Sequence, residues 1–253
     1  MTRRFYAAPE SFSGNKIELS VEESRHLRDV LRLRAGEIVQ VFDGAGREFL
    51  CQVQSFDRRT TRIELVLRDE IEPPAPESNL DLTLAVALLK GEKFDLVVQK
   101  AVELGARKIV PLETARADVK FSDERDPKKN DSMKKLERWR RIALEAAKQS
   151  GRAFVPQIEA PVEYKKFIEN SNDDETHVFF AERAGDNLTQ SLPNEVSSLT
   201  AIVGAEGGWE AAEIEAARRK NFLIATLGKR ILRAETAAIA VAALLQHRFG
   251  DLI

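Results

Sequence analysis

Cysteine and histidine are nearly missing from this chain, and the few present are scattered. Cys51 is the only cysteine among 253 residues, which excludes an internal disulfide and fits a reducing, cytoplasmic setting. His26, His177 and His247 lie far apart with no metal-ligand spacing, so no metal site is expected. No apolar run approaches the roughly 18 residues that a membrane span needs. Met1-Thr2-Arg3-Arg4 is not followed by the apolar stretch of a secretory signal, and no membrane partner is expected. Neither Gly-x-Gly-x-x-Gly nor a Gly-Lys-Ser/Thr P-loop occurs. An ordinary dinucleotide site and a P-loop NTPase therefore both fit poorly.

A large overall charge is missing too, since the chain carries a net −2. The charge is unevenly spread, however. Lys90–Arg152 holds 17 Lys/Arg against 11 Asp/Glu, Ala153–Glu215 holds 3 against 13, and Ala216–Ile253 holds 7 against 2. Such asymmetry suggests a basic surface beside an acidic one, either for a nucleic-acid partner or simply as solvated faces.

Two textures are present. Residues 1–72 read mostly as short strands: Phe49, Cys51 and Val53, then Ile63, Leu65 and Leu67, alternate with their neighbours, as in half-buried antiparallel strands. Asp43-Gly44-Ala45-Gly46 is a turn signal between two of them. Ser20 and Glu23 form a capping-box pattern at the start of one helix, whose apolar face is Leu27, Val30 and Leu31. A small β-barrel with one helix is expected. Residues 73–79, rich in proline, read as a semi-rigid linker. Over 80–253 the pattern becomes α/β. Leu82–Leu89 is an apolar run suited to a strand buried on both faces. Short strands at Ile109-Val110, Val178–Phe180, Ala201–Val203 and Phe222–Ala225 alternate with helices at 92–104, 136–149, 210–219 and 236–247. Phe121–Ser132, with hardly an apolar residue, reads as a loop.

Two glycine-bearing loops stand out near the end. Ile202-Val203-Gly204-Ala205-Glu206-Gly207-Gly208-Trp209 is followed by Leu227-Gly228-Lys229-Arg230-Ile231-Leu232-Arg233-Ala234-Glu235-Thr236-Ala237. Each is an apolar run that ends in a charged loop opening a helix. Glycines let the main chain approach a ligand, and helix N-termini offer free N–H groups. One such loop alone would read as turn glycines; two in succession point to a ligand held by backbone.

These two motifs together resemble the SPOUT superfamily of RNA methyltransferases. Within it the chain is similar to the bacterial small-subunit rRNA uridine-N3 methyltransferase family. Further matches are Arg25-His26-Leu27-x-x-Val30-Leu31-Arg32, Lys90-Gly91-x-Lys93, Gln99-Lys100-x-x-Glu103-Leu104-Gly105 and Gln149-Ser150-Gly151-Arg152. Ala205 and Trp209 stand where the family usually has proline and phenylalanine. The resemblance implies an N-terminal PUA-like β-barrel, a C-terminal trefoil-knotted parallel-sheet domain, a homodimer, and S-adenosylmethionine (SAM) as methyl donor. It implies small-subunit rRNA, free or in the assembled subunit, as the partner. It maps cofactor contacts onto Ala181, Gly204, Glu206, Gly207, Gly208, Leu227, Gly228, Ile231, Leu232 and Thr236. Another target nucleotide, or a non-catalytic RNA-binding assembly protein, would share many of these features.

Residue chemistry leaves alternatives beside those implications. Glu206 precedes a helix, where the dipole favours a carboxylate with or without a cofactor. Arg233 and Glu235 could be a local ion pair. They could equally be catalytic, the arginine stabilising negative charge on uracil and the carboxylate receiving the N3 proton. On a regular helix Arg25, Arg28 and Arg32 would fall within about a 60° arc, either as a solvated face or as a track for phosphates. Arg116 and Arg152 are further candidate RNA contacts. Trp139 reads as core, and the small residues of Thr236–Leu245 suit a close helix packing or a dimer interface.

Overall fold

The computed structural model describes residues 3–56, 61–119, 129–172, 174–183, 185–187 and 192–252. The chain divides into two compact units, Met1–Glu77 with Ala147–Val155, and Ser78–Ala146 with Pro156–Ile253.

The first unit is a six-stranded sheet. Its strands are β1 (Arg4–Tyr6), β2 (Phe12–Ser13), β3 (Lys16–Glu18), β4 (Ile38–Phe42), β5 (Glu48–Phe56) and β6 (Ile63–Ile71), in the order β1-β4-β5-β6-β3-β2. All neighbours run antiparallel except β1 and β4. The alternating residues supply the core: Val39, Val41, Cys51, Val53, Ile63 and Leu65 are all buried. Burial pushes the Cys51 thiol up to about 12, so it stays protonated and unreactive.

Helix α1 (Val21–Arg25) starts where Ser20 accepts the Glu23 N–H at 3.2 Å. The Glu23 carboxylate is held by Lys148, at 2.7 and 2.9 Å, in a part-buried pair. After α1 the chain continues as a π turn over His26–Val30, and Arg32 then takes a left-handed φ of 54°. This corrects the expected arc, because Arg25, Arg28 and Arg32 do not share one regular helix. Arg28 is paired with its neighbour Asp29 at 2.6 Å, and His26 packs edge-on against Phe5.

Arg4 is the buried polar centre of this unit. Its guanidinium meets both oxygens of Glu48, at 2.9 and 2.8 Å, and also donates to the carbonyls of Ala147, Lys148 and Arg152. Those carbonyls sit at a helix C-terminus, where free acceptors need partners.

The second unit is a parallel α/β fold. Its strands are β7 (Asp81–Ala87), β8 (Lys108–Glu113), β9 (Gln157–Ile158), β10 (Val162–Glu163), β11 (Thr176–Phe180), β12 (Asp186–Asn187), β13 (Ser198–Val203) and β14 (Leu223–Thr226). They order as β10-β8-β7-β13-β11-β14-β12, with β9 also on β8, all parallel. The helices are α2 (Lys93–Glu103), α3 (Lys129–Ser150, whose last residues join the first unit), α4 (Tyr164–Glu169), α5 (Ala211–Arg219) and α6 (Ala234–Phe249). Leu82, Leu84, Ala85, Val86 and Ala87 are fully buried, as the unbroken apolar run requires. Trp139 packs on Phe94 and donates to Asp95 at 3.0 Å. Among the described residues no helix is long and apolar enough to cross a membrane.

Two segments differ from expectation. Of the loop expected over 121–132, residues 121–128 lie outside the described residues, and α3 has already begun at Lys129. The proline-rich segment is pinned: the Ala75 N–H donates to the Gly151 carbonyl at 3.2 Å, and Ser78 donates to buried Gln246 at 2.7 Å.

The strand order matters for the site. Strand β13 pairs with β11 on one side, and β14, the next strand along the chain, pairs with β11 on the other. Loops leaving the carboxyl ends of these three neighbours open a crevice, the usual ligand position in a parallel sheet.

Candidate active site

A cleft of about 280 Å³ occupies that crevice. Three segments line it: Phe180–Glu182 after β11, Val203–Trp209 except Gly207 after β13, and Leu227–Ala234 except Lys229 after β14, joined by Ala237. The walls are mainly apolar, with Phe180, Trp209, Leu227, Ile231 and Leu232 among them, and Glu182, Glu206, Arg230 and Arg233 are the charged groups. Small-molecule sites commonly combine such apolar walls with a few placed charges.

The first glycine loop is braced from behind. A side chain added at Gly204 would come within 2.8 Å of the Trp209 indole, and one at Gly207 within 3.0 Å of Arg116 backbone. Gly208 has φ +68° and would place a side chain 2.8 Å from Glu182. Trp209 is itself fixed, donating to the Phe180 carbonyl at 2.9 Å and packing on Phe179 and Tyr164. Outside the loop, Lys93 holds Glu206 at 2.8 Å and Arg116 donates to the Gly207 carbonyl at 3.3 Å. The helix that follows carries a complete capping box, because Glu210 and Glu213 cap each other's backbone N–H. Glu213 also accepts the Ala115 N–H at 2.9 Å, and Tyr164 donates to the Glu213 carbonyl. Burial, then the Glu213 charge, raises the Tyr164 hydroxyl and keeps it a donor.

The second loop is open by contrast. Gly228 has φ +80° but nothing within 4 Å of an added side chain. Ile231 is 59% exposed. Arg233 caps α6 with extended backbone and accepts the Ala237 N–H at 2.8 Å. Among the described residues its guanidinium makes no ion pair. Glu235 lies in the first turn of α6, and its Oε2 is buried without a hydrogen-bond partner among the described residues.

The structure gathers most of the predicted cofactor residues: Ala181, Gly204, Glu206, Gly208, Leu227, Gly228, Ile231 and Leu232 all line the cleft, as does Arg233. Gly207, Thr236 and Glu235 do not line it. The close approach expected between Gly207 and a ligand is here taken by Arg116. Arg116 is exposed, as are Arg25, Arg28 and Arg32. Arg152 is a correction, for it is 4% exposed and its guanidinium is bound to both oxygens of Glu77. Its guanidinium is engaged within the first unit. Lys93 and the Trp209 wall were not assigned to the site from sequence. Both stand in motifs quoted above, but only their nonlocal contacts, Lys93 with Glu206 and Trp209 with Phe180, reveal what they do. No cluster of three or more His, Cys, Asp or Glu that could hold a metal occurs among the described residues.

Known proteins share this architecture. Residues 76–246 match the model of the RNA methyltransferase domain, and residues 19–66 that of the RNA methyltransferase PUA domain. Ribosomal RNA small subunit methyltransferase E of Synechocystis is 36% identical over 94% of this chain and 75% of its own length. The protein of that name from Bacillus subtilis is 31% identical over 86% of this chain and 84% of its own. In crystals, the Neisseria gonorrhoeae protein of that name bound to SAM superimposes with a TM-score of 0.87 at 31% identity, covering all of both chains. A methyltransferase from Legionella pneumophila, also with bound SAM, gives 0.86 at 32%, again over all of both chains. The chain belongs to the RNA methyltransferase family, in the group of the ribosomal RNA small subunit methyltransferase E proteins.

Proposed function

We propose that this protein transfers a methyl group from SAM to N3 of one uridine in small-subunit rRNA. The observation that carries this reading is a cleft, at the ends of three parallel strands, that joins both glycine loops to Arg233, which makes no ion pair among the described residues. The cleft suits SAM. Apolar walls from Ala181, Leu227, Ile231 and Leu232 would take the adenosyl part, and the carboxylates of Glu182 and Glu206 complement the donor's positive charges. When bound, the cofactor supplies an electrophilic methyl group on a sulfonium sulfur.

The chain's own residues would do the rest. Uracil N3 is an imide nitrogen and must lose its proton before its lone pair can attack carbon. Arg233 would hold the uracil carbonyl oxygens and favour the anion. Glu235, in the first turn of α6 two residues after Arg233, would be the carboxylate that accepts the N3 proton.

The wider reading follows the same lines. Residues 1–72 would bind RNA through the exposed Arg25, Arg28 and Arg32, and Arg116 would add a contact from the catalytic part, residues 80–253. Alanine at Arg25, Arg28 and Arg32 should weaken RNA binding and flatten its salt dependence, leaving SAM affinity intact. An unchanged salt slope would return these arginines to solvent. The passage of β13 and β14 to opposite sides of β11 supports the trefoil knot. Exposed Leu244 and Ile231, 45% and 59% accessible, support a homodimer through α6. Ala240→Arg should then give monomers in sedimentation, and a wild-type monomer with full activity would refute the dimer. The setting is cytoplasmic, where ribosomes are built.

Mass mapping of rRNA nucleosides tests the activity. A strain lacking the gene should lose one 3-methyluridine and regain it on complementation. Full modification without the gene would contradict the proposal.

A further inference from the structure

Four charges lie within electrostatic reach of one another: Glu206 and Arg233, which line the cleft, and Lys93 and Glu235 beside them. Two cations and two carboxylates could pair off completely, yet the structure pairs only one of each. Lys93 Nζ lies 2.8 Å from Glu206 Oε1, a contact between residues 113 positions apart. Arg233 stays without an ion pair among the described residues, and one oxygen of Glu235 is buried without a hydrogen-bond partner among them. The groups nevertheless feel each other. The hydrogen bond to Glu206 is the chief cause holding the Lys93 ammonium above its ordinary value, the Glu235 charge adds to it, and Arg233 opposes it.

The geometry points to Lys93 as a positioning residue: by holding the Glu206 carboxylate, it keeps Arg233 unpaired and available to the target base. The inference rests on the methyl-transfer reading above. Glu206 and Arg233 line the same cleft. Without Lys93, the carboxylate would turn to the guanidiniums that line the same cleft, Arg230 and Arg233, and capture of Arg233 is the costly case. Guanidinium and carboxylate match as a planar, two-bond pair, so the capture would be effective. An arginine held that way cannot offer its N–H groups to uracil oxygens. Lysine suits the holding role because a compact ammonium ties the carboxylate from the α2 side, whose helix N-terminus also favours negative charge.

The test is a set of three variants, measured for turnover at saturating SAM, SAM affinity by calorimetry, and the Arg233 Nε–H signal by NMR. Lys93→Met should lower kcat about 10- to 100-fold while SAM affinity changes by less than about threefold. Its Arg233 Nε–H should become protected from exchange with water. Lys93→Arg, which keeps a cation on Glu206, should stay within about threefold of wild-type turnover. In Lys93→Met/Glu206→Gln the captor is gone, so kcat should rise at least about tenfold above that of Lys93→Met and the Nε–H protection should vanish. A merely structural Lys93 would not show that rescue. Normal turnover in Lys93→Met, or no recovery in the double variant, overturns the inference. A wild-type protein that forms no 3-methyluridine overturns the parent reading instead, so the two failures are distinct.

Discussion

The two glycine loops look alike in sequence and behave differently in the fold. Val203–Trp209 is packed against its own protein at nearly every residue, with Trp209 behind Gly204, Arg116 behind Gly207, Glu182 beside Gly208 and Lys93 on Glu206. Leu227–Arg233 has open space around Gly228, an exposed Ile231 and an Arg233 without an ion pair among the described residues. A loop whose contacts are already filled can serve as a preformed wall. A loop with free contacts can meet what comes later, whether cofactor, base or a second copy of the chain. Preorganisation on one side and availability on the other is what a two-substrate transfer needs.

The largest effect should come from the open loop. Arg233→Ala should cut turnover about 10²-fold or more, the scale of losing an oxyanion donor. Arg233→Lys should restore little, because a point charge lacks the planar fork. Single-turnover kinetics with rRNA would measure both, and normal turnover in Arg233→Ala would remove it from the chemistry.

Next comes the braced loop. Gly204→Val drives its side chain into the Trp209 indole, which cannot withdraw while it is bonded to Phe180. The wall must shift, so SAM affinity should fall more than about tenfold, with a lower Tm, an overpacking cost of about 1–3 kcal/mol. Unchanged affinity would show that the first loop is not rigid.

Much of this contrast was invisible in the sequence. The strand, glycine and helix pattern gave both loops, because it is local chemistry. What lies behind each glycine depends on residues far away, such as Arg116, 91 positions from Gly207. The same limit explains Arg152, whose basic neighbourhood suggested RNA while its partner Glu77 was 75 positions off. Arg25, Arg28 and Arg32 were placed by helical arithmetic that a π turn breaks. Helix α4, six residues long, and the two-residue strands β9 and β10 are too short to show a period. Leu82–Leu89, by contrast, was legible because burial on both faces demands an unbroken apolar run.

A smaller effect separates the loops at glycine itself. Gly228→Ala meets no neighbour and pays only for φ +80°, about 1 kcal/mol, so SAM affinity should change only a few-fold. A loss as large as that of Gly204→Val would erase the distinction between the loops.

The smallest effect is with pH. Lys93 is held above its ordinary value of 10.5, chiefly by its bond to Glu206. A raised value means the tie is fully present below about 10.5 and is lost only as pH climbs through the higher, folded value. Fluorine NMR of fluorotryptophan-labelled protein should show the Trp209 signal move only in that alkaline window, and not at all in Lys93→Met. A shift between pH 7 and 9 would contradict the assignment.

Calorimetry with SAM in the presence of chelator tests the division of labour most directly, using wild type, Gly204→Val and Arg233→Ala. One saturable site is expected in the wild type, strongly weakened in Gly204→Val and retained within about threefold in Arg233→Ala. A wild type that does not bind, or an Arg233→Ala protein that loses SAM as fully as Gly204→Val does, would contradict the account.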